Sequence, residues 1–110
     1  MKQEVTRKDL LSVYLNQSVS NIESKEVIIP AGGKGAYHSH PCPVVGYIVS
    51  GEVLFQIEGQ PEEIIKEGGA FYEPKNTPIM HFDNASETEP LTFIAFYLRE
   101  ENEDFITMLK

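Results

Sequence analysis

The stretch Gly32-Gly33-Lys34-Gly35-Ala36-Tyr37-His38-Ser39-His40-Pro41-Cys42-Pro43 runs directly into Val44-Val45-Gly46-Tyr47-Ile48-Val49 and the turn Ser50-Gly51-Glu52. Glycine and proline punctuate both sides of a histidine pair, and a short β-branched run follows, which is the local signature of strands joined by turns. On a strand, positions i and i+2 face the same way. His38 and His40 therefore aim two imidazoles into one space, the geometry a metal asks of neighbouring ligands. The chain has three histidines in all, the third being His81. A His-x-His pair alone is equally compatible with surface or hydrogen-bonded histidines, so the pattern around it has to carry the reading.

Outward from this stretch, apolar residues come in pieces of a few residues rich in Val, Ile, Phe and Tyr, separated by Gly, Pro, Asn and Ser. That pattern predicts strands, not helices. Leu10 to Leu15 reads as a first strand and Lys25 to Ile29 as a second; Val44 to Val49 comes after the histidine segment. Val53 to Glu58 and Glu63 to Lys66 form a hairpin over Gly59-Gln60-Pro61. Ala70 to Glu73, Ile79 to Asp83 and Leu91 to Leu98 supply the rest. The last is nearly continuous apolar sequence, as expected for a strand buried on both faces, at the sheet centre or at a dimer contact. After Arg99 the tail is acidic through Asp104, then offers Phe105, Met108 and Leu109 at a spacing that suits one packed helical turn covering a barrel edge. About nine to eleven short strands with regular turns predict an all-β sandwich or barrel.

A chain of 110 residues is the size of one core, and no linker, repeat or low-complexity tract divides it, so residues 1–110 are expected to form one domain. The 9 basic and 17 acidic residues give a net charge of −8, which repels phosphate backbones and anionic headgroups and argues against nucleic-acid and membrane partners. Charges at the N-terminus, and the lack of any apolar run near the roughly 20 residues of a membrane span, predict a cytoplasmic protein. The lone Cys42 excludes an internal disulfide and agrees with a reducing compartment.

Over roughly residues 25–98 the chain resembles the cupin family, whose first motif is a glycine, five residues, His-x-His, a short gap, an acidic residue, six residues and a glycine. Gly32, His38, His40 and Gly51 match it. The second motif is a glycine, five residues, Pro-x-Gly, two residues, a histidine, three residues and an asparagine. Gly68 and Pro74 match, with Asn76 in place of the second glycine, and Asn84-Ala85-Ser86 followed by Thr88-Glu89-Pro90 looks like small single-domain members. The resemblance implies a double-stranded β-helix, or jelly-roll, barrel with the tail 99–110 outside its core motifs. It also implies a divalent metal held by three histidines and one carboxylate. Two departures stand out: Val44 occupies the acidic position and Ile79 the last histidine position. Strict transfer leaves only His38 and His40.

His81 is the expected replacement for the third ligand. It lies two residues beyond Ile79, a displacement that keeps the strand face but moves the side chain roughly 6.6 Å along it. A local bulge would be needed to bring it level with the pair. The set His38, His40, His81 is nitrogen-rich and would suit Zn, Fe, Ni or Cu better than Mg or Ca. Cys42, between two prolines, is either a small residue in a fixed turn or a soft ligand at the pocket mouth. Tyr47, Phe55, Gln56, Tyr72 and Glu73 flank the motifs; aromatics there are expected as core and Glu73, beside a proline turn, as solvated. No catalytic base is named from these residues. Two functions are open: a metal-dependent enzyme on a small molecule, an oxygenase or isomerase, or a non-catalytic small-ligand-binding barrel whose metal site has decayed. A homodimer is expected, because Leu10 to Leu15 and Leu91 to Leu98 exceed what one thin barrel covers on both faces.

Overall fold

The computed structural model describes residues 4–100 and 103–109 and is all-β: β1 (Asn21–Ile29), β2 (His38–Ser39), β3 (Val44–Ser50), β4 (Glu52–Ile57), β5 (Glu63–Lys66), β6 (Ala70–Glu73), β7 (Ile79–Asn84), β8 (Leu91–Arg99) and β9 (Thr107–Met108). Two antiparallel sheets face each other, one ordered β1-β8-β3-β6 and the other β5-β4-β7-β2-β9. This is the two-layer barrel the turn spacing predicts. No helix of the described residues is long and apolar enough to cross a membrane.

Alternation builds the core. Leu91, Phe93, Ala95 and Tyr97 of β8 are buried and point between the sheets, where they meet Val44 and Ile48 of β3, Val53 and Phe55 of β4, Phe71 of β6, and Ile79 and Phe82 of β7. The rings of Phe71, Phe82 and Phe93 pack at 4.7–5.8 Å between centroids in tilted and edge-on pairs, as aromatic quadrupoles prefer. Gly46 sits directly opposite Phe71 in the β3–β6 ladder, and a Cβ there would run into that ring. A glycine inside an apolar strand is thus what makes room for the Phe71 ring against the sheet.

Three sequence expectations change. Leu10 to Leu15 is not a strand: Lys8 to Leu11 border a groove against the outer face of the four-stranded sheet, beside Val45, Tyr47 and Phe96, and pair with no edge. The tail forms β9, not a helical turn, because β2 offers it a free edge: Met108 pairs with His38 and Thr107 with Ser39. β8 does lie in its sheet's interior, between β1 and β3, but only one of its faces is buried; Phe96 on the other remains 37% exposed.

Candidate metal centre

Three short elements converge at one end of the barrel interior. β2 is only His38–Ser39, yet it is pinned on both sides, His38 pairing with Ile79 of β7 and with Met108 of β9. Just beyond it the His40 carbonyl accepts the Asn76 N–H at 2.7 Å. Asn76 has φ 56°, the left-handed backbone that the family's glycine would adopt, and asparagine is the side chain best able to replace glycine there. From the opposite sheet, β6 points Phe71 and Glu73 inward, and Glu73 falls directly opposite Val44 in the β3–β6 ladder.

The result is a buried triad of polar groups. His38, His40 and Glu73 are 7%, 4% and 3% exposed, and their donor atoms lie within 4.8 Å of one another. The Nε2 atoms of His38 and His40 stand 3.1 and 3.0 Å from Glu73 Oε2. Each imidazole also uses its other nitrogen: Nδ1–H of His38 donates to the Ala36 carbonyl at 2.7 Å, and Nδ1–H of His40 donates to the Phe105 carbonyl. A carbonyl can only accept, so these bonds fix the tautomer of each neutral ring and leave both Nε2 atoms as lone-pair donors.

Two imidazole lone pairs and a carboxylate therefore face one point, and only positive charge reconciles them. In the bare protein a proton does so. Burial pushes the His38 imidazole down, but its hydrogen bonds to Glu73 and the Ala36 carbonyl outweigh that and the net displacement is upward. Burial likewise pushes the Glu73 carboxyl up, and the two histidines bring it below the usual carboxylate range. A cation satisfies the same three atoms together. Bonds of about 2.0–2.1 Å put neighbouring ligands of a tetrahedral ion roughly 3.3 Å apart, close to the two histidine–carboxylate spacings found here. The donor set is two histidines and a carboxylate, with each ring's far nitrogen bonded to a carbonyl as metal-ligating histidines require. These residues fit a divalent transition metal.

His81 does not join them. Ile79 and Phe82 both point into the core, and an odd spacing between two inward residues requires a bulge. The β4–β7 ladder places it: Gln56 pairs with His81 while Ile57 pairs with Ile79, one residue on β4 against two on β7. The expected bulge exists, but it reverses the face instead of preserving it. The His81 side chain is turned outward, 40% exposed, with Nδ1 donating to Asp83 Oδ2 at 2.9 Å. The carboxylate missing from the set His38, His40, His81 comes instead from Glu73, whose place beside a proline turn predicts a solvated side chain.

Cys42 is fully buried in the core cluster, and burial is the main cause pushing its thiol up to about 11. It is a packing residue, not a soft ligand at the mouth. Tyr72 faces away from Glu73 on the same strand, as alternation demands. Phe55 is core, whereas Tyr47 is 40% exposed on the outer face. The residue sequence reasoning missed is Tyr97. Its ring lies 5.6 Å from that of His40, and burial, then the Glu73 charge, push its hydroxyl up to about 12. The alternation Leu91-x-Phe93-x-Ala95-x-Tyr97 was the available signal.

Next to the triad lies a cavity of about 280 Å³ between the sheets. Phe105, Ile106 and Met108 of the C-terminal segment close one side of it. The segment is held by the His40–Phe105 bond, by Leu109 N–H donating to the Tyr37 carbonyl at 3.0 Å, and by Lys75 against Glu103 at 3.0 Å. The Phe105 ring packs 5.5 Å from Tyr97.

No curated protein matches this chain. Among solved structures, a cupin-like protein from Thermotoga maritima superposes with a TM-score of 0.69 at 25% identity, over 81% of this chain and 65% of that one. A DMSP lyase from Ruegeria pomeroyi superposes with a TM-score of 0.67 at 23% identity, over 79% of this chain and 42% of that one. An RmlC-like cupin family protein with a double-stranded β-helix fold from Methanocaldococcus jannaschii gives 0.64 at 23% identity, over 70% and 69%. The chain thus spans less than two thirds of the length of the first two. The family profile described as "Cupin domain" matches residues 25–97, the segment that holds β2 to β7, most of β1 and β8 and all three inward donors, and the chain belongs to the cupin family.

Proposed function

We propose that this protein is a metal-dependent enzyme acting on a small organic molecule inside the barrel, with His38 Nε2, His40 Nε2 and a Glu73 oxygen holding a divalent transition metal such as Fe or Zn. The observation that carries this is the convergence of three buried donor residues, in which both imidazole Nδ1 positions are bonded to backbone carbonyls and the Nε2 atoms are left facing Glu73. When bound, such an ion supplies Lewis acidity or an activated oxygen ligand at its open positions. The chain's own contribution is to fix both imidazole tautomers, to keep water from the triad behind Phe105 and Met108, and to present the Tyr97 hydroxyl in its protonated, hydrogen-donating form. Metal analysis of protein purified without chelator tests the reading: about one equivalent is expected per chain, and none in Glu73→Gln or His40→Ala. A wild type that stays metal-free after exposure to Fe(II), Zn(II), Ni(II) and Cu(II) sinks it.

A second reading, a small-ligand-binding barrel with no catalysis, is favoured by Val44 and Ile79. Both are fully buried and apolar where the family pattern places donors. The two readings part on whether metal-loaded protein turns any bound molecule over. For assembly we propose a homodimer through the outer face of the β1-β8-β3-β6 sheet, where Ile22, Ile28, Tyr47, Val49 and Phe96 are 37–64% exposed. Light scattering that returns a monomer mass at micromolar concentration removes it.

A further inference from the structure

The cavity beside the triad has one polar end and an apolar body. Val27, Ile29, Phe82, Phe93, Ala95 and Phe105 form the body. The polar side chains on its wall, among the described residues, are the three donors, Tyr97 and Lys25. Lys25 is already committed, its Nζ 2.9 Å from Glu23 Oε1 and 4.8 Å from the centre of the Phe105 ring. Two wall backbone groups are likewise used: Gly35 N–H donates to Asp83 Oδ1 at 3.0 Å and the Ala36 carbonyl accepts from His38. A sugar or nucleotide entering the body would lose its hydrogen bonds to water against phenylalanine and isoleucine with nothing in return. An apolar molecule would lose none. In size, a hydrocarbon-lined cavity of ~150 Å³ already accepts benzene, and this one is nearly twice that.

We infer that the ligand of this site is a predominantly apolar molecule of about one to two rings, or a branched aliphatic of that size, carrying a single oxygen-bearing head group directed at His38, His40 and Glu73. The head group's anchorage rests on the metal-centre reading; the apolar body rests on the cavity wall alone. The C-terminal residues Phe105, Ile106 and Met108 set this selectivity, since they complete a wall that the two-sheet core leaves open.

Matched acids test this on Zn(II)-loaded protein by calorimetry. Mandelate, glycolate and threonate share one 2-hydroxycarboxylate head and differ in the group attached to it. Mandelate is expected to bind at least roughly tenfold more tightly than glycolate, and threonate no more tightly than glycolate. Ala95→Leu, which fills the body, and Phe105→Ala, which removes a wall ring that is 38% exposed, should each weaken mandelate several-fold and leave glycolate unchanged. The Phe105 substitution keeps the backbone carbonyl that holds His40, and its exposure makes it the variant that decides if Ala95→Leu does not fold. Indole, which has no head group, should shift aromatic NMR signals of metal-free wild type and not of Ala95→Leu. Mandelate binding no better than glycolate, with indole without effect, overturns the inference while a metal-loaded triad still stands. Indole binding in a protein that takes up no metal leaves the apolar body intact and removes the metal reading.

Discussion

Among the described residues there are two groupings of histidine with carboxylate, and they differ in every respect that matters for binding a cation. His38, His40 and Glu73 lie in the barrel interior, each imidazole has its Nδ1–H drawn outward by a backbone carbonyl, and three lone-pair atoms are left facing inward. His81 and Asp83 lie on the outer side of β7, where the ring N–H is given to the carboxylate itself and the ring is 40% exposed. In the second grouping the carboxylate is a hydrogen-bond partner; in the first it is a competitor for the same positive charge. A count of histidines does not distinguish the two. An account of where each ring proton goes does.

The largest expected effect breaks the interior grouping. Addition of a tightly bound divalent ion at about a hundredfold its dissociation constant should stabilise wild type by ~2.7 kcal/mol, which for a domain of this size raises the melting temperature by on the order of 10 °C. Glu73→Gln should weaken metal binding at least ~100-fold, so the shift disappears. Its sign without metal is the sharper check. In the metal-free protein Glu73 shares a proton with His38, and a glutamine amide offers that imidazole only a neutral N–H, so metal-free Glu73→Gln should melt below metal-free wild type at about pH 6, and the gap should close as pH rises through the range where His38 loses its proton. A metal-free variant that melts level with wild type throughout that range would mean that the bare triad shares no proton.

This difference also explains what could be read from the sequence. The barrel was legible, because alternation, turn residues and the motif glycines all agree, and His38 with His40 come from strand parity alone. Glu73 was not, because its role depends on the register of β6 against β3, a pairing across more than twenty residues that no local pattern states. Yet the position opposite Val44 is where a carboxylate must come from if Val44 supplies none. His81 misled for the same reason: parity along β7 holds only without a bulge, and the bulge becomes visible only in the pairing of Gln56 and Ile57. The β9 strap was missed because one two-residue bridge to β2 leaves no periodicity in the sequence.

A second test adds to the interior grouping. Ile79 is fully buried and pairs directly with His38, so Ile79→His returns a histidine to the family position. Without metal this removes a packed isoleucine and buries a polar ring, at a cost of about 2–4 kcal/mol in chemical denaturation. With metal, a further nitrogen donor should tighten binding by roughly tenfold. A variant that loses stability and gains no affinity would show that the triad's open positions do not face β7.

The outer grouping gives the smaller effects. Asp83 is 6% exposed, and its two oxygens accept from Gly35 N–H at 3.0 Å and His81 Nδ1–H at 2.9 Å. Asp83→Ala leaves the Gly35 donor without its partner and should cost about 1–3 kcal/mol of folding stability. Metal affinity should stay within about twofold of wild type, since no triad atom depends on it. His81→Ala comes last. The exposed ring retains water as an alternative partner, so the loss should stay below about 1 kcal/mol. Asp83 keeps its bond to Gly35, so the loop leading to His38 is undisturbed. Metal content and affinity should be indistinguishable from wild type. The pair of variants thus separates position from chemistry: both remove half of one hydrogen-bonded pair, yet only Asp83 is buried with a second donor to satisfy. Loss of metal in His81→Ala would return His81 to the ligand set and require β7 to shift its register when metal binds.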